Sequence, residues 1–272
     1  MKILILAYHK IISEGRDVKK VPVGSLPYYL DKVNFIQQIE YLAENEFQTI
    51  SLSQLIKASE GEFILPLKTV ILTFDDGDIS NYTIAYPIFK KYNFGATFFI
   101  ITDKIDTPGY MTWQNVKEMS DNGMEIGSHT KTHAYLPSLS EKDVVFEFKE
   151  SKKTLEYKLG RPIYFLSIPF GFYHTKEKTI AVECGYKAIC TSEAGINRFD
   201  ENYRFNLQRI HVKKDYSIKM FTSIVNQKPS VLFKIIIYDR LLRILKNIFN
   251  YSMWMRARNI FLKYKYQRGN RV

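Results

Sequence analysis

Thr69-Val70-Ile71-Leu72-Thr73-Phe74-Asp75-Asp76-Gly77 is the stretch that decides how this chain folds. Five of its first six residues are β-branched or aromatic, and no polar alternation breaks the run. Such a segment reads as a strand buried on both faces, the kind a parallel sheet requires. It delivers two adjacent acids at its end, and Gly77 then lets the chain turn. Neighbouring carboxylates repel each other unless a cation lies close by or one of them is protonated. Alone, Asp-Asp-Gly is better explained as a strand-to-turn junction.

Working outward, strand-like runs recur at Ile3–Tyr8, Phe47–Ser51, Ala96–Ile101, Met124–Gly127, Ile163–Pro169, Lys187–Thr191 and Asn206–Val212. Helical patterns lie between them. Phe35, Ile36, Ile39, Leu42 and Ala43 share one helix face by spacing. Thr112 and Ser140 read as N-caps, with Glu141 and Asp143 in the first turn after Ser140. Gly95, Gly123 and Gly185 fall where helices should stop. Alternating strands and helices imply parallel strands joined by right-handed crossovers. Seven or eight such units in ~230 residues predict an α/β fold of the (β/α) barrel kind, distorted and TIM-like, with about seven parallel strands. An open doubly wound sheet is the alternative, but no glycine-rich phosphate fingerprint follows the first strand.

The chain has 272 residues, 46% of them hydrophobic, enough for one sizeable core. Its two cysteines, Cys184 and Cys190, form neither a disulfide framework nor a metal-type pair. Both read as buried thiols suited to a reducing compartment. The short apolar run after Lys2 reads as a first strand rather than a signal peptide, and no window is apolar enough for a membrane span. Cytoplasmic placement is therefore expected. The net charge of +11 is unevenly spread. Residues 230–272 hold four lysines and six arginines against Asp239, a net of +9, which leaves +2 for the first 229. The expected division is a barrel domain over 1–229 and a basic amphipathic helical tail over 230–272, with Asn226–Ser230 as the boundary.

Four further groups carry chemistry. Gly127-Ser128-His129-Thr130-Lys131-Thr132-His133 places two of the five histidines four residues apart, a spacing that lets both face one metal if the segment makes a helical turn. Ile168-Pro169-Phe170-Gly171 reads as a shaped loop that can aim a backbone N–H at a ligand. Tyr8-His9 ends the first strand. In Arg209-Ile210-His211, Arg209 and His211 share one strand face and Ile210 the other. Taken singly, each has a structural explanation at least as good as a catalytic one. Together with Asp75-Asp76 they all fall at the C-terminal ends of predicted strands, the face on which barrel enzymes build active sites. One aspartate and two histidines make three ligands with positions left open, and the other aspartate remains as a base.

At these residues the chain resembles the polysaccharide deacetylases, carbohydrate esterase family 4. The family's first motif is similar to Thr73–Gly77, which implies Asp75 as general base and Asp76 as metal ligand. Its second implies His129 and His133 as the other ligands, and its third is similar to Ser167–Gly171, which implies that Pro169 and the backbone N–H of Phe170 line the substrate groove. Tyr8-His9 and the Phe35–Leu52 stretch resemble the subgroup that deacetylates poly-N-acetylglucosamine. In that subgroup the motifs are circularly permuted and the acid histidine lies on the first strand, which implies His9 as general acid, with His211 as its rival. Ser167 stands where many relatives carry an arginine that orients the base. Arg209 is the residue able to supply that charge from another strand. The implied partner is an acetylated amino-sugar glycan, and the implied cofactor is a divalent metal, for which zinc suits a His2Asp set.

Two other classes keep the same site: a deformylase or phosphoester hydrolase, and an inactive sugar-binding module. A serine hydrolase is not expected, because no G-x-S-x-G elbow is present. In the tail, Leu241, Leu242, Ile244, Leu245, Ile248 and Phe249 share one helix side, and Arg240, Arg243, Lys246, Asn247 and Asn250 the other. A basic polar face of this kind suits an anionic membrane surface. Docking against the barrel with a solvated basic face fits the pattern equally well. The charge excess and Trp254, Phe261, Tyr264 and Tyr266 favour the membrane and a lipid-linked sugar on its cytoplasmic leaflet. No nucleic-acid recognition motif accompanies the charge.

Overall fold

The computed structural model describes residues 2–13, 23–171, 175–198, 204–248 and 251–268. Its central sheet contains β1 (Lys2–Tyr8), β4 (Gln48–Thr49), β5 (Thr69–Phe74), β6 (Thr97–Ile100), β7 (Glu125–Ser128), β8 (Phe165–Ser167), β9 (Ala188–Cys190), β10 (Asn197–Arg198) and β11 (Ile210–His211). A parallel pair, β2 (Lys10–Ile12) and β3 (Tyr29–Asp31), stands apart from it. The helices are α1 (Lys32–Glu44), α2 (Leu52–Ser59), α3 (Tyr86–Tyr92), α4 (Trp113–Asp121), α5 (Glu141–Leu159), α6 (Thr175–Glu183), α7 (Ile218–Val225), α8 (Pro229–Ile248) and α9 (Tyr251–Arg268).

The strands run in the order β10-β1-β5-β6-β7-β8-β9, and all neighbours except β10 are parallel. The stretch leading into β11 closes the curve. Leu207 bridges Cys190 beyond β9, and Ile210 and His211 pair with Leu6 and Ala7 of β1. The expected distorted barrel is therefore present, with a thin seam. Only Ile210–His211 of the predicted Asn206–Val212 strand is regular, because the segment is shared between two neighbours and twists from one to the other. All six side chains of β5 are buried, as its unbroken apolar run requires.

Thr112 and Ser140 cap α4 and α5 as expected. Gly95 does not end α3. Asn93 takes the left-handed C-cap there (φ 54°), a conformation asparagine tolerates. Both C-terminal helices pack on the barrel. Leu232 buries α8 in the main core, and Leu262 of α9 is buried as well. α9 approaches the Val23–Tyr28 turn closely: a β-carbon at Gly24 would lie 2.9 Å from Asn259 Oδ1 and 3.1 Å from an Arg258 nitrogen, both movable side-chain ends. Among the described residues no helix is long and apolar enough to cross a membrane. Phe249 and Asn250, two of the predicted tail residues, lie outside the described residues.

Candidate active site

β5 ends at Phe74, and the Asp75 N–H donates to Tyr8 O of β1 at 3.0 Å, which fixes the acid pair at the barrel's C-terminal mouth. Asp75 is buried. Arg209 grips its carboxylate with two parallel bonds of 2.8 Å, and also donates to Ser167 Oγ (2.9 Å), Thr191 O (2.9 Å) and Thr73 Oγ1 (3.2 Å). Arg209 thus brings a positive charge to Asp75 from the stretch leading into β11, with the Ser167 hydroxyl accepting one of its N–H groups. Burial alone would raise the Asp75 carboxyl, but the charges of Arg209 and then His129 overcome it and hold the group far below its ordinary value.

Asp76 turns the other way because its backbone is left-handed (φ 77°). Its Oδ1 lies 3.5 Å from His129 Nε2 and 3.6 Å from His133 Nε2. His129 is buried, and its Nδ1 lies 2.8 Å from the Ser167 carbonyl oxygen. Only a protonated Nδ1 can make that bond, which fixes the ring and aims Nε2 toward Asp76. The two histidines do not share a helical turn. The segment is irregular, with Thr130 (φ 63°) and His133 (φ 65°) both left-handed. Left-handed backbone is strained for a β-branched threonine. Two sets of bonds hold it: Thr130 Oγ1 accepts from His133 N, and the Glu147 carboxylate of α5 accepts from the N–H groups of Lys131 and Thr132 and from Thr132 Oγ1.

Asp76, His129 and His133 present three ligand atoms within 4.8 Å of one another. Ligands bound tetrahedrally at ~2.1 Å stand roughly 3.4 Å apart, close to the two Asp76 distances, so the donor set fits a divalent cation. Without a cation, burial drives His133 down to about 4, and burial of Asp76 is outweighed by His129 and His9, so its carboxyl falls to about 2. Asp76 and His133 are thus already deprotonated at neutral pH, whereas burial at His129 is outweighed by Asp75 and Asp76, which raise it, so a cation there would displace a proton.

His9 follows β1 and stacks on Tyr28 at 4.8 Å, with the His211 ring 5.4 Å away. Burial lowers both imidazoles. Asp76 and Asp75 partly restore His9, whereas Arg209 pushes His211 further down. Phe170 sits in a left-handed turn (φ 60°) with its ring 4.7 Å from His133. At the adjoining Gly171 a β-carbon would strike Ser192 at 2.3 Å. Of the residues expected on the substrate side, Phe170 and His211 line a cavity of about 410 Å³ together with the acid pair and His9. Pro169 is buried in the turn, and Arg209 lies behind Asp75.

Sequence reasoning missed Glu147, Tyr28 and the part played by the C-terminal helices, which supply Tyr238, Leu242 and Arg258 to the same cavity. Glu147 reads in the sequence as one more surface glutamate on an amphipathic helix. Only the unusual burial of that position separates it from its neighbours.

A polysaccharide deacetylase family model matches residues 65–189. A Bacillus subtilis protein, YxkH, whose own polysaccharide deacetylase name is provisional, is 32% identical over 227 residues, 81% of this chain and 75% of its own length. The poly-beta-1,6-N-acetyl-D-glucosamine N-deacetylase of Escherichia coli (strain K12) is 33% identical over 146 residues. That match spans 48% of this chain but only 21% of the E. coli enzyme. Among solved structures, the Streptococcus pyogenes deacetylase PplD in complex with acetate is similar at a TM-score of 0.75 and 28% identity, covering 83% of this chain and 97% of that one.

Proposed function

The chain belongs to the polysaccharide deacetylase family, amide-bond hydrolases of the carbohydrate esterase 4 type, and from that membership we propose that it removes N-acetyl groups from an acetylated amino sugar in a glycan or a lipid-linked saccharide. One observation carries the reading: three ligand atoms spaced for a cation stand beside a second carboxylate that an arginine holds in place.

In this proposal Asp76, His129 and His133 hold a divalent cation, zinc by the chemistry of the donor set. When bound, the cation supplies Lewis acidity toward the acetamide oxygen and toward water. Asp75 accepts the proton of the water that attacks the acetamide carbon. Its two bonds to Arg209 spend one lone pair of each oxygen and fix the direction of the others. The Phe170 N–H and the turn that presents it stabilise the developing oxyanion. His9 gives a proton to the departing nitrogen, so that free amine and acetate leave. His9 fits that role better than His211, because the acid pair favours its protonated form while Arg209 opposes that of His211.

Acetate release from N-acetylglucosamine oligomers tests the reading, with metal content measured on the same samples. Asp75→Asn should keep its metal and lose roughly 100- to 10,000-fold in rate. His129→Ala should lose both metal and rate. Wild-type turnover in Asp75→Asn would remove Asp75 from the mechanism, and formate or phosphate as the product would replace deacetylation with one of the competing hydrolases.

The proposed partners are the glycan and an anionic membrane surface. Support for the membrane comes from α8 and α9, which present Leu241, Ile244 and Phe261 to solvent amid a strong basic excess. The two free cysteines, both buried, suit the cytoplasmic side.

A further inference from the structure

Two cations in the cavity have no role in the chemistry just described. Lys213 follows β11 by two residues, and Arg258 comes from α9; both line the cavity that also holds Asp76 and His9. The Lys213 ammonium lies 5.5 Å from the Tyr238 ring centre. The Arg258 guanidinium lies 5.9 Å from the centre of Tyr28, the ring that stacks on His9. Arg258 spends one N–H on Gly24 O, at 2.7 Å, and its fork has four more donors. Among the described residues neither cation has a carboxylate in ion-pair range. The nearby acids are engaged elsewhere: Asp239, which lines the same cavity, pairs with Arg243 and accepts from Ala194 N, and Asp215 pairs with Lys265.

Two like charges held toward one half-buried space repel each other, and the enclosed setting weakens solvent screening. Burial lowers the Lys213 ammonium, with Lys265 and Arg258 adding to the shift against a partial pull from Asp215 and Asp239. An anion between them would relieve both the desolvation and the repulsion. A phosphate ester fits this pair better than a carboxylate. It carries up to two charges for two cations and offers oxygens on several sides, one for the guanidinium fork and another for the ammonium.

We propose that Lys213 and Arg258 form an anion subsite beside the acid–imidazole centre, and that the acetamido sugar bound there carries a phosphate ester. The proposal rests on the deacetylase reading for the word acetamido; the subsite itself rests on the two cations. The tail helices then have a task in substrate choice, because α9 brings Arg258 over the mouth of the barrel.

Isothermal titration of the full chain with N-acetylglucosamine, its 1-phosphate, N-acetylmuramic acid and inorganic phosphate tests this without relying on turnover. The sugar phosphate should bind roughly tenfold or more tightly than the neutral sugar, and added salt should narrow the gap. Lys213→Met should bring the two sugars close to parity, while Lys213→Arg keeps most of the preference and shows that the position tolerates change. Equal binding of the neutral and phosphorylated sugars by the wild type overturns the subsite. A preference for the carboxylated sugar, or for free phosphate over the sugar phosphate, overturns the assignment of its ligand. Phosphate-selective binding with no acetate released from any substrate would instead sink the deacetylase reading and leave the subsite standing.

Discussion

Asp75 and Arg209 are 134 residues apart and meet in a dry pocket through two bonds of 2.8 Å. A buried pair adds little over an apolar pair of the same shape, but removing one partner strands the other charge. Arg209→Met should therefore lower the unfolding free energy by about 3–5 kcal/mol in urea titrations. The double variant with Asp75→Asn should lose less than the two single losses added together, because no carboxylate is left unpaired. Strict additivity would mean that the two groups do not act as a unit. The same arginine also donates from its guanidinium to the Ser167 hydroxyl, 2.9 Å away on β8. What holds the Asp75 carboxylate in place is a fixed positive charge delivered from another part of the chain.

At the scale of elements, the His129–His133 loop owes its shape to a neighbour in space. α5 turns Glu147 inward, and its carboxylate collects two backbone N–H groups and the Thr132 hydroxyl. Groups that orient metal ligands from behind commonly affect affinity by about 10- to 100-fold when removed. Glu147→Ala should weaken zinc binding by that order in a competition titration. Glu147→Gln, whose amide oxygen can still accept from both N–H groups, should stay close to wild type. Unchanged affinity in the alanine variant would show that the strained turn at Thr130 and His133 holds itself. The short β11 has a related task. Its two regular residues bring Arg209 behind Asp75 and His211 beside His9, so the seam that closes the barrel also completes the site.

For the whole molecule, the C-terminal helices serve both the cavity and the outer surface. α8 and α9 wall the cavity through Tyr238, Leu242 and Arg258. Beside these on α8, Leu241, Ile244 and Leu245 are exposed, at 55%, 56% and 42% of their surface. These three belong to the apolar stripe expected from the sequence, but Leu242 of the same stripe lines the cavity, and Arg243 of the expected basic face pairs with Glu193 and Asp239. Burying the three in a headgroup layer would bring the cavity mouth close to a lipid-linked substrate. Replacing all three by glutamine should lower cosedimentation with phosphatidylserine vesicles several-fold and leave secondary structure intact, since none of them packs in the core. Equal sedimentation by the triple variant would detach this face from the membrane.

Local signals determined most of the elements and marked the candidate site residues. The run Thr69–Phe74 could be read as a buried strand to its exact ends because hydrophobic pattern and turn residues are written in order along the chain. The acid pair, the two histidines and the Phe170 turn could be read because each follows such a strand. Tertiary structure alone decided which distant groups touch. The bond from His129 Nδ1 to the Ser167 carbonyl, the clasp of Glu147, and the seating of α9 against Gly24 depend on approach distances of a few ångströms between segments far apart in sequence. Hydrogen bonds and ion pairs are decided at that range, and periodicity along a chain carries no information about it.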